Sequence, residues 1–253
     1  STDLTSTVSK GQRLKLTRLT AAPTQCTSLN GSNQYWSKTT PAGMTFTDDF
    51  VVSAWVKLSA YPSSEGMIMS RSSGTQGWLF AVNSSGQVYL SGSNAALTNY
   101  SRVTSYSAIP LNEWVHVSAQ LDMSAFTATS TTSYIMFDGI DTPSAVTRAG
   151  TNPTALVQAG DLEVGAYNGA TSPLAAKIAQ AVVYSAKGTQ ATIRASISQT
   201  LSGSETSVAS VFTFNGSGND SSSNANNLTA QNSATATSAD SPYAQGVAGS
   251  IEY

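Results

Sequence analysis

Phe50-Val-Val-Ser-Ala-Trp-Val-Lys57 and Glu113-Trp-Val-His-Val-Ser-Ala-Gln-Leu-Asp122 are the stretches whose reading decides the fold. Successive side chains of a strand point to opposite faces, so alternation marks a sheet with two environments. Phe50, Val52, Ala54 and Val56 share one face; Val51, Ser53, Trp55 and Lys57 share the other. Val115, Val117, Ala119 and Leu121 likewise oppose His116, Ser118 and Gln120. Outward from these runs, Ser84-Ser-Gly86 separates Phe80-Ala-Val82 from Val88-Tyr-Leu90 and predicts a hairpin. Charged residues make up only 10% of the chain, against roughly 25% in ordinary globular domains. Ser, Thr, Ala, Asn and Gly take their place. One helix is expected, with Thr189 as N-cap and Ile193, Ile197 and Leu201 at four-residue spacing before Gly203. A further strand is expected at 208–214. The class that follows is all-β: a two-sheet antiparallel β-sandwich with one short helix in its C-terminal half.

The order of five more specific segments narrows this. Phe50–Lys57 is followed by Gly66-Met-Ile-Met-Ser-Arg71, Glu113–Asp122, Tyr134-Ile-Met-Phe-Asp-Gly139 and Leu162-Glu-Val-Gly-Ala166, with Leu174–Tyr184 closing the series. That order resembles the laminin-G-like, concanavalin A-like jelly-roll family over about residues 26–200. Ser28–Trp36 resembles its first core strand. The resemblance implies three regions: an N-terminal arm and edge strand at 1–25, the jelly roll at 26–231 and a C-terminal tail at 232–253. Asn219–Leu228 resembles a loop that usually precedes the sandwich in this family, which implies a permuted chain.

Composition excludes several functions. A net charge of −2 leaves no basic stripe for nucleic acid. The alternation of Leu14 and Leu16 with Arg13 and Lys15 reads as a solvated edge strand. No apolar run reaches membrane-spanning length, so no membrane insertion is expected. Ser1 fits a chain that lost an initiator Met and carries no secretory signal. Cys26 is the sole cysteine, which precludes an internal disulfide and reads as a buried, inert thiol. His116 is the sole histidine, and its mid-strand place beside Trp114 reads as structural. Zinc would need three or four His or Cys ligands.

Glycan cleavage on this fold is implied by a Glu-x-Asp-x-x-Glu string, which does not occur. Asp161-Leu-Glu163 is the nearest approach. Alternate residues on a strand would set these carboxylates about 6.5–7 Å apart, between the roughly 5–5.5 and 6.5–9.5 Å of retaining and inverting hydrolases. Calcium is implied by the family resemblance, yet the usual acids of its opening strand stand here as Asn30 and Gln34, and those of its closing strand as Ala179 and Gln180. Asp220, Asn224 and Asn226 remain as candidate calcium ligands through oxygen donors. Trp36, Tyr61, Tyr100, Tyr106 and Tyr167 fall in or near expected loops and are the candidate sugar platform.

The ends, 1–9 and 232–240, have the small polar composition of linkers and could bury little alone. Docking on other chains of an assembly, a homo-oligomer or a capsid or tail partner, is the expected way to order them. The leading expectation is therefore a non-catalytic surface interaction or structural module, such as a phage virion head decoration, collar or tail protein. A secreted carbohydrate-binding module with a glycan partner is the alternative, and a glycoside hydrolase or lyase a third. The corresponding location is the virion surface or the extracellular space.

Overall fold

The computed structural model describes residues 24–46, 49–95, 99–122, 132–149, 159–187, 190–197 and 199–242. In chain order the elements are β1 (Cys26–Asn30), β2 (Tyr35–Lys38), β3 (Phe50–Leu58), β4 (Glu65–Ser72), β5 (Gly77–Asn83), β6 (Gln87–Ala95), β7 (Asn99–Ala108) and β8 (Val115–Leu121). Then follow β9 (Tyr134–Phe137), β10 (Ile140–Thr142), β11 (Ser144–Ala149), β12 (Asp161–Val164), β13 (Ala175–Tyr184), α1 (Gln190–Ile197), β14 (Val208–Phe212), β15 (Thr229–Gln231) and β16 (Thr235–Ser238). They form two antiparallel sheets of eight strands. The first runs β10-β9-β8-β3-β13-β1-β16 with β14 beside β13; the second runs β11-β7-β6-β5-β4-β12-β2-β15. The expected sandwich is what the chain builds.

The core follows the alternation. Val52, Ala54 and Val56 of β3 and Val115, Val117 and Ala119 of β8 meet Trp78, Phe80, Leu90, Val103 and Leu162 across the sandwich, all in one buried cluster. The predicted hairpin is β5–β6, with Val82 opposite Val88 and Phe80 opposite Leu90. The Asn83 carboxamide closes its turn by accepting from the Ser85 and Gln87 amides, a local cap that competes with extended backbone.

The polar side of β8 is also buried, because α1 lies over the outward face of the first sheet. Ile193 packs with Val51, Met136, Val182 and Tyr184, and Ile197 packs against Cys26, Trp55, Trp114 and Ala179. Leu201 lies past the helix end but joins the Ile193 cluster. Gln180, at a bulge in β13, ties this return down by donating to the Gln199 carbonyl and accepting from the Leu201 amide. His116 is thereby sealed under the helix; burial lowers its pKa to about 3, and its ring stands edge-on to Trp55 at 5.4 Å. A neutral imidazole packed as an aromatic ring is the structural role its position suggested. Thr189 lies outside the described residues.

Two expectations need correction. Trp36 is not a loop residue: it sits on β2 and is 6% exposed. Its ring packs on Phe214 at 5.6 Å and its indole N–H donates to the Thr27 hydroxyl at 2.8 Å. The tail boundary at 231 also fails. Thr235–Ser238 is a strand on β1, with Ser28 opposite Thr235 and Cys26 opposite Ser238, and Ala234 and Ala236 are buried. Extended small residues need main-chain partners, and this segment finds them on its own sheet edge. Asp240, just beyond, is clamped by Lys57 at 3.0 Å and Lys177 at 2.6 Å. Residues 1–23, including the Arg13–Arg18 alternation, and 243–253 lie outside the described residues.

Candidate functional site

The rim where β3 ends and β13 begins carries an open cleft. β3 passes into Ser59–Ser64, while Ser172-Pro173-Leu174 leads into Ala175. The two connections wall a cleft of about 300 Å3 lined by Tyr61, Pro62, Ser63, Glu65, Ser172 and Ala175. Pro62 and Pro173 fix φ and so stiffen both walls. Tyr61 is half-buried; its hydroxyl donates to the Ile109 carbonyl at 2.9 Å, which holds the ring in the wall.

Glu65 links this cleft to the outward face of the second sheet. One oxygen of its carboxylate accepts the Tyr89 hydroxyl and the other accepts the Ser172 hydroxyl at 3.4 Å. Tyr89 belongs to an outward-facing cluster with Met67, Leu79 and Ala81, against which Tyr167 packs. The Arg102 guanidinium lies 4.2 Å from the centre of the Tyr89 ring and 5.4 Å from that of Tyr100, a cation–π arrangement. Burial, then the Glu65 carboxylate, raises the pKa of Tyr89 far above the usual phenol value and raises that of Tyr167 in the same way. Both hydroxyls therefore remain protonated donors. The cleft itself offers the Glu65 carboxylate, the Ser63 and Ser172 hydroxyls and the half-buried Tyr61 ring, a set of polar groups beside one aromatic ring that suits a polyhydroxylated ligand.

Of the five aromatic residues expected as a platform, Tyr61 lines the cleft, and Tyr100 and Tyr167 lie on the adjoining face. Tyr106 is 65% exposed and falls, by strand alternation, on the same side of β7 as Arg102. Trp36 belongs to the core. Glu65, Tyr89 and Arg102 were not read from the sequence. Tyr89 alternates out of phase with the inward Val88 and Leu90, and that signal would have placed it outward.

Asp161 and Glu163 do share a face, but Glu163 is 2% exposed. The turn after β12, with positive φ at Gly165, Asn168 and Gly169, folds back over it. The Gly169 amide donates to one Glu163 oxygen at 2.9 Å, while the other oxygen is buried without a hydrogen-bond partner among the described residues. Burial raises the Glu163 pKa, Asp161 adds to this, and the Gly169 amide opposes it.

Asp220, Asn224 and Asn226 come together as a brace rather than an open ligand set. The Asp220 carboxylate accepts from the Val211 and Ser222 amides, the Ser210 and Ser222 hydroxyls and the Asn226 amide. Asn226 is fully buried and bonds both the amide and the carbonyl of Ala42. Asn224 donates to the Ala209 carbonyl. A cation here would have to displace these donors. Asn30 similarly caps its own loop, accepting from the Ser32, Asn33 and Gln34 amides. Among the described residues no three His, Cys, Asp or Glu side chains converge as a metal centre, and no helix is long and apolar enough to cross a membrane.

A laminin-G-type family model, described as the concanavalin A-like lectin/glucanases superfamily, matches residues 30–194. The chain belongs to that superfamily. Comparison with curated protein sequences gave no match. Among solved structures, the chain is similar to a putative carbohydrate binding protein from Bacteroides ovatus, with a TM-score of 0.60 and 16% identity. That match covers 85% of this chain and 62% of the other, so this chain spans less than two thirds of its length. It is also similar to the CBM40 of a Ruminococcus gnavus IT-sialidase bound to α2,3-sialyllactose, with a TM-score of 0.50 and 8% identity over 69% of this chain and 98% of that one.

Proposed function

We propose that this member of the concanavalin A-like lectin/glucanases superfamily is a glycan-binding module of an extracellular or cell-surface protein. The observation that carries the reading is the cleft at Tyr61, Glu65 and Ser172, open to solvent and joined through Glu65 to Tyr89, Tyr167 and Arg102. The similar structures support the same reading, since one is described as a putative carbohydrate binding protein and another holds sialyllactose. The virion expectation has no counterpart in the family match or in these structures, and part of the tail that motivated it is β16. The module binds rather than cleaves: the closest acid pair, Asp161 and Glu163, has one member covered by its own turn. The test is a glycan array followed by calorimetry, and a polysaccharide panel assayed for new reducing ends. Glu65→Gln and Tyr167→Ala should each weaken the best ligand, on the order of tenfold for a lost bond or stacking contact. A folded protein that binds no glycan, or that releases new reducing ends, overturns the reading.

A further inference from the structure

A second cleft, of about 290 Å3, adjoins the first and is lined by Ser28, Lys57, Ser59, Asn112, Lys177 and Asp240. Ala175 lines both. Their walls are continuous along the chain, through Leu58 to Tyr61 on one side and Leu174 to Lys177 on the other. Ala175 is exposed, and opposite it is Gly31, at a positive φ of 69°, where an added Cβ would come within 2.6 Å of the Ala175 Cβ. Lys177 lies two residues along β13 from Ala175, about 7 Å at the rise of a strand.

The two ends of this passage differ in charge. Lys57 and Lys177 are directly opposite on neighbouring strands, a placement that repels unless an anion intervenes. One anion does: both ammonium groups donate to the same Asp240 oxygen, at 3.0 and 2.6 Å, while the other oxygen accepts the Trp114 indole N–H at 3.2 Å. Two cations share one carboxylate, so the described side chains leave a net positive charge beside the hydroxyls of Ser28 and Ser59 and the amide of Asn112. Each ammonium has three donors, and the shared bond to Asp240 leaves donors to turn into the cleft. The other end carries Glu65.

We infer that the two clefts are one groove, whose ligand is an oligosaccharide bearing a carboxylate or sulfate. Lys57 and Lys177 hold that anionic group, and a neutral sugar lies beside Tyr61 and Glu65. Glu65 repels an anion from its own end, so the charge difference also fixes the direction in which the chain lies. This rests on the glycan-binding reading and names its ligand class.

The experiment is calorimetry on the intact chain with three oligosaccharides of matched length: one of uronic acids, one sulfated and one neutral. At least one acidic probe should bind on the order of tenfold tighter than the neutral one, as for a gained charge-assisted contact, and lose that advantage as salt rises. Lys57→Gln and Lys177→Gln, made singly so that Asp240 keeps one partner, should lower acidic binding by a larger factor than neutral binding and so narrow the gap between the two. Ala175→Trp should block all three. Folding of each variant is checked by its thermal midpoint. Equal affinity for acidic and neutral probes, unchanged by either lysine variant, overturns the anionic assignment and leaves the glycan reading intact. Binding by none of the three or by any array glycan overturns both.

Discussion

Asp240→Asn would test whether the segment after β15 is part of the fold. In the folded chain burial alone would raise the Asp240 pKa, but the bonds from Lys177, Lys57 and Trp114 bring it down from 3.8 to about 2. At about 1.4 kcal/mol per tenfold change in proton affinity, that depression is worth about 2.5 kcal/mol at most. The carboxylate is 25% exposed, and solvent screening reduces the figure to about 1–2 kcal/mol. Asparagine keeps the shape but removes the charge, leaving Lys57 and Lys177 opposed without a counter-ion. The folded pKa is depressed, so the stabilisation is fully present above the ordinary aspartate value and is lost as pH falls toward about 2. Urea unfolding of both proteins at pH 7 should show the variant less stable by about 1–2 kcal/mol, with the gap closing between pH 4 and pH 2. A difference below about 0.3 kcal/mol at pH 7, or one that does not change with pH, would refute the clamp.

Trp36→Ala should destabilise the chain by about 3–5 kcal/mol, because the ring fills core space against Phe214 and leaves the Thr27 hydroxyl without its donor; a urea midpoint near wild type would return Trp36 to the surface. Glu163 carries the opposite linkage from Asp240. Its folded pKa is raised above 4.5, so wild-type stability falls as pH rises from 4.5 toward that higher value. Glu163→Gln should therefore be more favourable relative to wild type at pH 7 than at pH 4, and a pH-independent difference in urea midpoints would contradict this. Adding calcium or a chelator should leave the thermal midpoint unchanged if the Asp220 loop is a hydrogen-bonded brace, whereas a calcium-dependent rise of several degrees would make it a metal site.

Alternation carried most of the fold. Phe50–Val56 and Val115–Leu121 needed only a period of two to assign an inward face, and the core uses those side chains. The same pattern could not tell that His116, Ser118 and Gln120 are buried too, since that depends on α1 covering a sheet face from seventy residues or more along the chain. Trp36 was misplaced because its pairing with Ala230 of β15 is visible only in three dimensions. The tail was misread for a related reason. Small polar residues give no packing signal, and backbone pairing with β1 needs none. At the site, Tyr61, Tyr100, Tyr106 and Tyr167 were legible as aromatics near loops. Glu65 was not, since its role depends on where β4, β6 and the turn after β12 meet. Nor was the Lys57–Lys177 pairing, which is set by strand register rather than by either segment alone.

Where a sugar touches the protein decides between a rim groove and every other surface of the sandwich. Backbone amide shifts followed by NMR while the best array glycan is titrated in would measure this. The expected footprint is residues 60–65 and 172–177, with Gly31 and Lys57 at the middle and far end of the groove. Shifts confined to the Asp220 loop, to α1 or to the turn over Glu163 would contradict it.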